Sequence, residues 1–255
     1  MIRPAAGADV VVACSSSMTD CIAFDGAKHV TVAGMRTPMF SVGGLPHQGG
    51  VSVGRGGADD VTLRDVDAGY VWIGADHVNI IGGDYGPAVD ATSKISEAGN
   101  CGDRSCPPEG VLIEGATFHD YRRFLHHQEC LALWGSGDDG VIVRKSTFRN
   151  CAVYAISVSA EADQHLRNVL LESNRIRPAT DVETSSQIAV SSHGGRVEDV
   201  VVRGNVVEGD DILVDAGLYG PAANIVVELN RVSESVHCFG PGVTCQNNAL
   251  PATGS

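Results

Sequence analysis

The 255-residue chain reads as an all-β solenoid of about eight coils whose like strands stack in parallel, and two observations predict it. First, a short phrase with apolar residues at alternate positions returns eight times, usually followed by a small or polar turn and a third apolar residue. Second, most copies are preceded by another run in which apolar residues alternate with small or polar ones, the mark of a strand with one buried face. No segment has the length and 3.6-residue periodicity of a crossover helix, so a doubly wound sheet does not fit.

In chain order the copies are Val30-Thr-Val32, Val61-Thr-Leu63, Val78-Asn-Ile80, Val111-Leu-Ile113, Val141-Ile-Val143, Val169-Leu-Leu171, Val200-Val-Val202 and Ile225-Val-Val227. Their first residues are separated by 31, 17, 33, 30, 28, 31 and 25 positions, as when a fixed strand unit is spaced by loops of variable length. The preceding runs are Cys21 to Phe24, Val51 to Val53, Val71 to Ile73, Leu131 to Leu133, Ile156 to Val158, Ile188 to Val190 and Ile212 to Val214. The third apolar residue is clearest in Phe118, Phe148, Ile176, Val207 and Val232. With neighbouring strands about 4.8 Å apart, eight coils make a rod roughly 35 to 40 Å long.

Five positions after the start of five successive copies stand Ala116, Ser146, Asn174, Asn205 and Asn230. Asparagine tolerates the left-handed backbone region and can hydrogen-bond along a stack, so a ladder is expected at this turn.

The phrases Gly140-Val-Ile-Val-Arg-Lys-Ser-Thr-Phe-Arg-Asn150 and Asn168-Val-Leu-Leu-Glu-Ser-Asn-Arg-Ile176 resemble the repeats of the pectate-lyase-like superfamily. The stretch from Glu109 to Asp120, followed by Gln128-Glu-Cys-Leu131, is similar to a group of secreted bacterial β-helix proteins without a firm activity. The resemblance spans roughly residues 8 to 235 and implies a single-stranded right-handed parallel β-helix. That fold carries lyases, hydrolases, esterases, epimerases and non-catalytic adhesins, so it implies little about activity. The Gly-His-Gly and Arg-Ile-Lys phrases of polygalacturonases, the Arg-x-Pro-x-x-Arg phrase of calcium pectate lyases and the Asp-Pro-His-Asp phrase of alginate epimerases are absent. Paired Asp138 and Asp139 read instead as turn residues between two strands of one coil.

A hydrophobic content of 43% lets the chain bury a core as one domain, residues 1–255. Lys and Arg number 18 and Asp and Glu 31, and the resulting charge of −13 argues against nucleic acid as partner. It also disfavours bare polyuronates unless a cation such as calcium bridges the charges. Eight cysteines form four close pairs, Cys14 with Cys21, Cys101 with Cys106, Cys130 with Cys151 and Cys238 with Cys245, which read as disulfides and point to a secreted, extracellular setting. No pair has the spacing of a zinc knuckle, and no metal site is expected. Residues 1 to 14 lack a signal peptide, there is no membrane span, and 1 to 20 are too few for a helical cap over the first coil. Residues 236–255 read as a C-terminal cap.

Two interruptions, 84–109 and 119–129, are expected as loops on one flank of adjacent coils, where a regular scaffold carries function. Alternation turns Tyr70, Trp72 and Trp134 outward, a platform for sugar rings continued by Ser157, Ser159 and Ser191. His119 and Tyr121 are expected to join it as substrate contacts. The catalytic candidates are His126 or His127 as base, Arg122 or Arg123 as charge stabiliser, Asp120 or Glu129 as acid or orienter, and Lys94 as a second base. These residues suit a lyase acting on an acidic sugar or a glycoside hydrolase. The expectation is therefore a carbohydrate-active protein whose partner is a polysaccharide or oligosaccharide; a non-catalytic binding or surface-structural protein is the alternative.

Overall fold

The computed structural model describes residues 1–3, 10–12, 14, 20–54, 57–96, 108–122, 129–135, 140–162, 164–178 and 186–250. Within them the chain is a parallel β-solenoid in which each coil passes through a leading, a middle and a closing strand. The leading sheet stacks nine strands, from Asp20–Phe24 to Val236–Cys238, and all seven preceding runs of the sequence lie in it. The path through the middle sheet likewise runs over nine strands, from Lys28–Ala33 to Val243–Gln246, and takes in all eight phrases, Val78 standing just before its strand. The closing sheet takes up the third apolar residues, from Asp84–Tyr85 to Arg231–Val232. Because its path holds only six strands, the three-sided coils number about six rather than the eight expected.

Strand pairing holds side chains in register from rung to rung, so the core is a set of columns. In the closing sheet Tyr85, Phe118, Phe148, Ile176, Val207 and Val232 align. The first three rings stack with centroids 5.1 and 5.0 Å apart, and all six residues are fully buried. Left-handed residues stand on both sides of the short apolar phrase in each middle strand. The residue before the first apolar position has positive φ on all nine rungs: His29, Asp60, His77, Gly110, Gly140, Asn168, Asp199, Asn224 and Gly242. So does the residue after each strand, as at Gly115, Lys145, Ser173, Gly204, Leu229 and Asn247. Two such residues bend the chain out of the strand and back around the core.

The asparagine ladder forms one position beyond that second bend. Asn174, Asn205 and Asn230 are buried, and their own backbones are not left-handed; the preceding residue takes the strain. Asn205 Nδ2 donates to Leu171 O at 2.9 Å and to Asn230 Oδ1 at 3.0 Å. Its Oδ1 accepts from Asn174 N at 2.9 Å and Asn174 Nδ2 at 3.0 Å, so the amide uses every donor and both lone pairs. Ser146 and Asn248 extend the column at its two ends.

The strand order departs from the sequence reading in several places. The interruption 84–109 is not all loop, because Ser93–Ser96 supplies the leading strand thought to be missing, and Lys94 sits on it. The long connections do not leave from one flank: 97–107 joins a leading to a middle strand, whereas 123–128 joins a closing to a leading strand. Residues 236–250, where a cap is expected, carry a further rung paired to the strands before it. An antiparallel hairpin, Met39–Val42 with Leu45–Gln48, was not read from the sequence at all. Its turn is Gly43-Gly44, both at positive φ, the geometry of a tight hairpin.

Three disulfides are described, Cys14–Cys21, Cys130–Cys151 and Cys238–Cys245, while Cys101 and Cys106 lie outside the described residues. Cys130–Cys151 ties the leading strand of one coil to the closing strand of that same coil. Among the described residues no helix is long and apolar enough to cross a membrane.

Replacing Asn205 by alanine would leave buried groups on three rungs without partners. We expect Asn205→Ala to lower stability by about 3 kcal/mol, read as a shift in the urea midpoint with the slope unchanged. Exposed Asn224→Gly, which keeps a residue suited to the left-handed backbone there, is the control and should cost far less.

Candidate functional site

The leading sheet positions the first candidate. Outward residues Ser52, Trp72, Lys94, Ala132, Ser157 and Ala189 stand in register on consecutive strands. Trp134 follows two residues beyond Ala132 on the same strand, so Trp72, Lys94 and Trp134 occupy three neighbouring rungs. Lys94 Nζ lies 6.0 Å from the Trp72 ring centroid and 5.7 Å from that of Trp134. Contacts at this range are worth only about 0.5–1 kcal/mol each at an exposed site, so the ammonium keeps most of its capacity for an anion. Trp134 is 38% exposed, and Trp72 and Lys94 are half-buried. Around them Ser157 and Ser159 are nearly closed, at 8% and 5%, and offer less polar surface than expected.

The remaining sequence candidates are dispersed. Tyr121 is not a surface contact: its ring is fully buried and its hydroxyl pairs with Ser93 Oγ. The cause is Asp120, whose positive φ inserts a residue into the alternation, so that His119 faces out and Tyr121 faces in, paired with buried Cys151. Tyr70 also departs from the outward platform. Its ring fills the space where a Cβ on Gly50 would stand, only 2.2 Å from the nearest ring carbon, and it packs against the core. Glu129 is buried at the start of its strand, where Thr92 Oγ1 donates to Oε2 at 3.3 Å, and it presents no free acid to a ligand. Arg122 ends a closing strand and is half-buried beside Val89. Arg123, His126 and His127 lie outside the described residues, as do Asp138 and Asp139.

Asp120 and His119 belong to the closing face, where a second candidate was not foreseen. Arg36, Asp67 and Asp84 fall on three neighbouring rungs: the Arg36 backbone pairs with that of Asp67, and Asp84 N donates to Asp67 Oδ1 at 3.1 Å. All three line a cleft of about 400 Å³ together with Val11, Thr37, Pro38, Met39 and Gln48. The hairpin forms one wall and is held there by Gln48, whose Nε2 donates to Thr37 O at 3.0 Å and Asp67 O at 3.2 Å. Burial, reinforced by the charge of Asp84, pushes the Asp67 carboxyl above its ordinary pKa despite help from the Asp84 amide and Arg36. The sequence signal was present in Asp65-Val-Asp67 and Asp84 but was hidden by their distance along the chain.

His119 backs this cleft. Its Nδ1 is 2.7 Å from Asp120 Oδ2, and its Nε2 is 3.0 Å from Asp84 Oδ1, off the line of a hydrogen bond, so that second contact is ionic. Burial works against the charged ring, but the two carboxylates outweigh it and raise the His119 pKa. Asp120 is held in turn by His119, Asn150 and Arg149, which together overcome its own burial and keep its pKa low. Among the described residues no group of three or more histidine, cysteine or acidic side chains is placed to hold a metal ion.

No family model matches the chain, and neither a curated protein nor a solved structure is significantly similar to it.

The His119 pKa is raised on folding, so its stabilisation is complete below the ordinary histidine value of about 6.5 and is lost as pH climbs past the raised value. Urea midpoints should therefore fall across mildly basic pH in the native chain. His119→Gln should flatten that part of the profile; an unchanged slope would show that the ion pairs do not persist in solution.

Proposed function

We propose that the chain is a secreted carbohydrate-active β-helix protein of the pectate-lyase-like superfamily, with a ligand groove on the outward face of the leading sheet. The observation that carries this reading is the pair of indoles with an ammonium between them on three neighbouring rungs. Indole faces stack on the C–H faces of sugar rings, and Lys94 supplies a positive charge to a carboxylate on the same ring. The ligand chemistry is thus an acidic oligosaccharide extended along the rungs. Its own charge meets a local cation, although the chain as a whole carries −13. The three disulfides and the fold's resemblance to exported proteins support an extracellular setting.

Binding is read by titrating acidic and neutral oligosaccharides. Trp134→Ala should weaken affinity at least about tenfold, the scale of one lost aromatic contact. Lys94→Met should weaken binding of acidic but not neutral ligands. If no saccharide of either class binds the native protein, the reading fails.

A second reading, hydrolysis, is favoured by the Asp67–Asp84 cleft rather than by the loop 119–129. Asp67, whose neutral form burial favours, would give its proton to the glycosidic oxygen as the bond to the anomeric carbon breaks. Water would add to that carbon and pass its proton to the Asp84 carboxylate. Asp67→Asn and Asp84→Asn should each reduce the release of reducing ends at least about a hundredfold while saccharide binding at Trp134 is retained. The absence of any turnover by the native chain would leave a binding protein.

A further inference from the structure

The outer face of the middle sheet carries a column that the core does not require. Leu112, Ile142, Leu170, Val201 and Val226 stand in register at outward positions on five successive strands, each half-buried. Beyond them the same column is polar, with Thr31, Thr62 and Asn79 before and Thr244 after. Threonine therefore satisfies the strand at this position, and the apolar stretch needs another cause.

Beside the stripe runs a charged column, Glu114, Arg144, Glu172, Arg203, Glu228 and Gln246. Its members pair within the chain, Arg144 to Glu114 at 2.9 Å and Arg203 to Glu172 at 2.8 Å. Alternation alone only avoids like charges on adjacent rungs. Combined with the apolar stripe, it makes the face complementary to itself when reversed.

We propose that this face docks against the same face of a second copy, antiparallel, about a two-fold axis between the strands of Leu170 and Val201. That axis sets Leu170 against Val201 of the partner, Ile142 against Val226 and Leu112 against Thr244. It also sets Glu172 against Arg203, Arg144 against Glu228 and Glu114 against Gln246. On the opposite side of the stripe it brings Arg167 to Glu198, which are in register within one chain. An axis displaced by half a rung would set like charges face to face, and one displaced by a whole rung would set Glu228 against Ile81 or leave Leu112 and Ile142 uncovered, so the pattern favours this register. The shared face spans six rungs, and its area, of order 500 Å² per copy, is below the usual 800 Å², so the dimer should dissociate on dilution. The leading and closing faces stay open.

Sedimentation equilibrium of the full chain should show a monomer–dimer balance that shifts toward monomer with added salt. Leu170→Thr with Val201→Thr, which keeps a residue type the column already uses, should raise the dissociation constant at least about tenfold without moving the thermal midpoint. Register is read by carbodiimide coupling of Lys145 to Glu228. Within one chain these residues are three rungs apart, about 14 Å, further than the two side chains reach together. A Lys145–Glu228 cross-link confined to the dimer band is the expected result. A chain that stays monomeric at about 0.5 mM, a dimer unaffected by the threonine pair, or inter-chain cross-links that join other residues instead of Lys145 and Glu228 would each overturn the proposal.

Discussion

Parallel backbone pairing between rungs is the constraint on which everything else rests. A strand four residues long is too short to be stable alone, and here each gains its partners only from the coils before and after it. The pairing also fixes register, so a side-chain type chosen on one rung meets its counterpart about 4.8 Å away on the next. That spacing lets Tyr85, Phe118 and Phe148 stack and lets the asparagine amides bond in sequence. In the charged column it also makes sign alternate.

Closure of the coil is the second requirement, and it falls on the backbone. The left-handed residues on either side of each apolar phrase turn the chain sharply enough that a coil can be completed in as few as 17 residues, as between Val61 and Val78. Glycine, asparagine and aspartate accept this at many rungs. His29, Lys145, Ser173 and Leu229 accept it at a local cost that stacking overrides.

This explains what the sequence made legible. Columns of Val, Ile and Leu announce themselves by periodicity, so the core, the stacking and the asparagine column could be read. Where conformation rather than composition decides, reading failed. Nothing in the composition of His119-Asp120-Tyr121 reveals that Asp120 is left-handed, and that one torsion sends Tyr121 into the core. Ser93–Ser96 was missed because Ser93 occupies an inward position normally held by an aliphatic residue; its hydroxyl meets Val71 N and Tyr121. The cleft was missed because Arg36, Asp67 and Asp84 become neighbours only through the stack. Trp72 and Trp134 were legible as outward residues because plain alternation holds on their strands, but Lys94 as their neighbour depended on the unread strand between them.

The outward columns carry what the inward ones cannot. An inward position is committed to packing, and deviation there must be compensated by a hydrogen bond, as at Ser93. An outward position on a rigid rung is free of that demand, yet its geometry is equally well fixed. Chemistry placed there needs no further scaffold: two indoles and an ammonium on the leading face, two carboxylates backed by His119 on the closing face, an apolar stripe edged by alternating charges on the middle face. Each departs from the small or polar residues that the same column tolerates on other rungs, as Trp72 and Lys94 depart from Ser52, Ala132 and Ser157. In a repeating scaffold the departures that the core does not force are where selection for something other than folding is recorded.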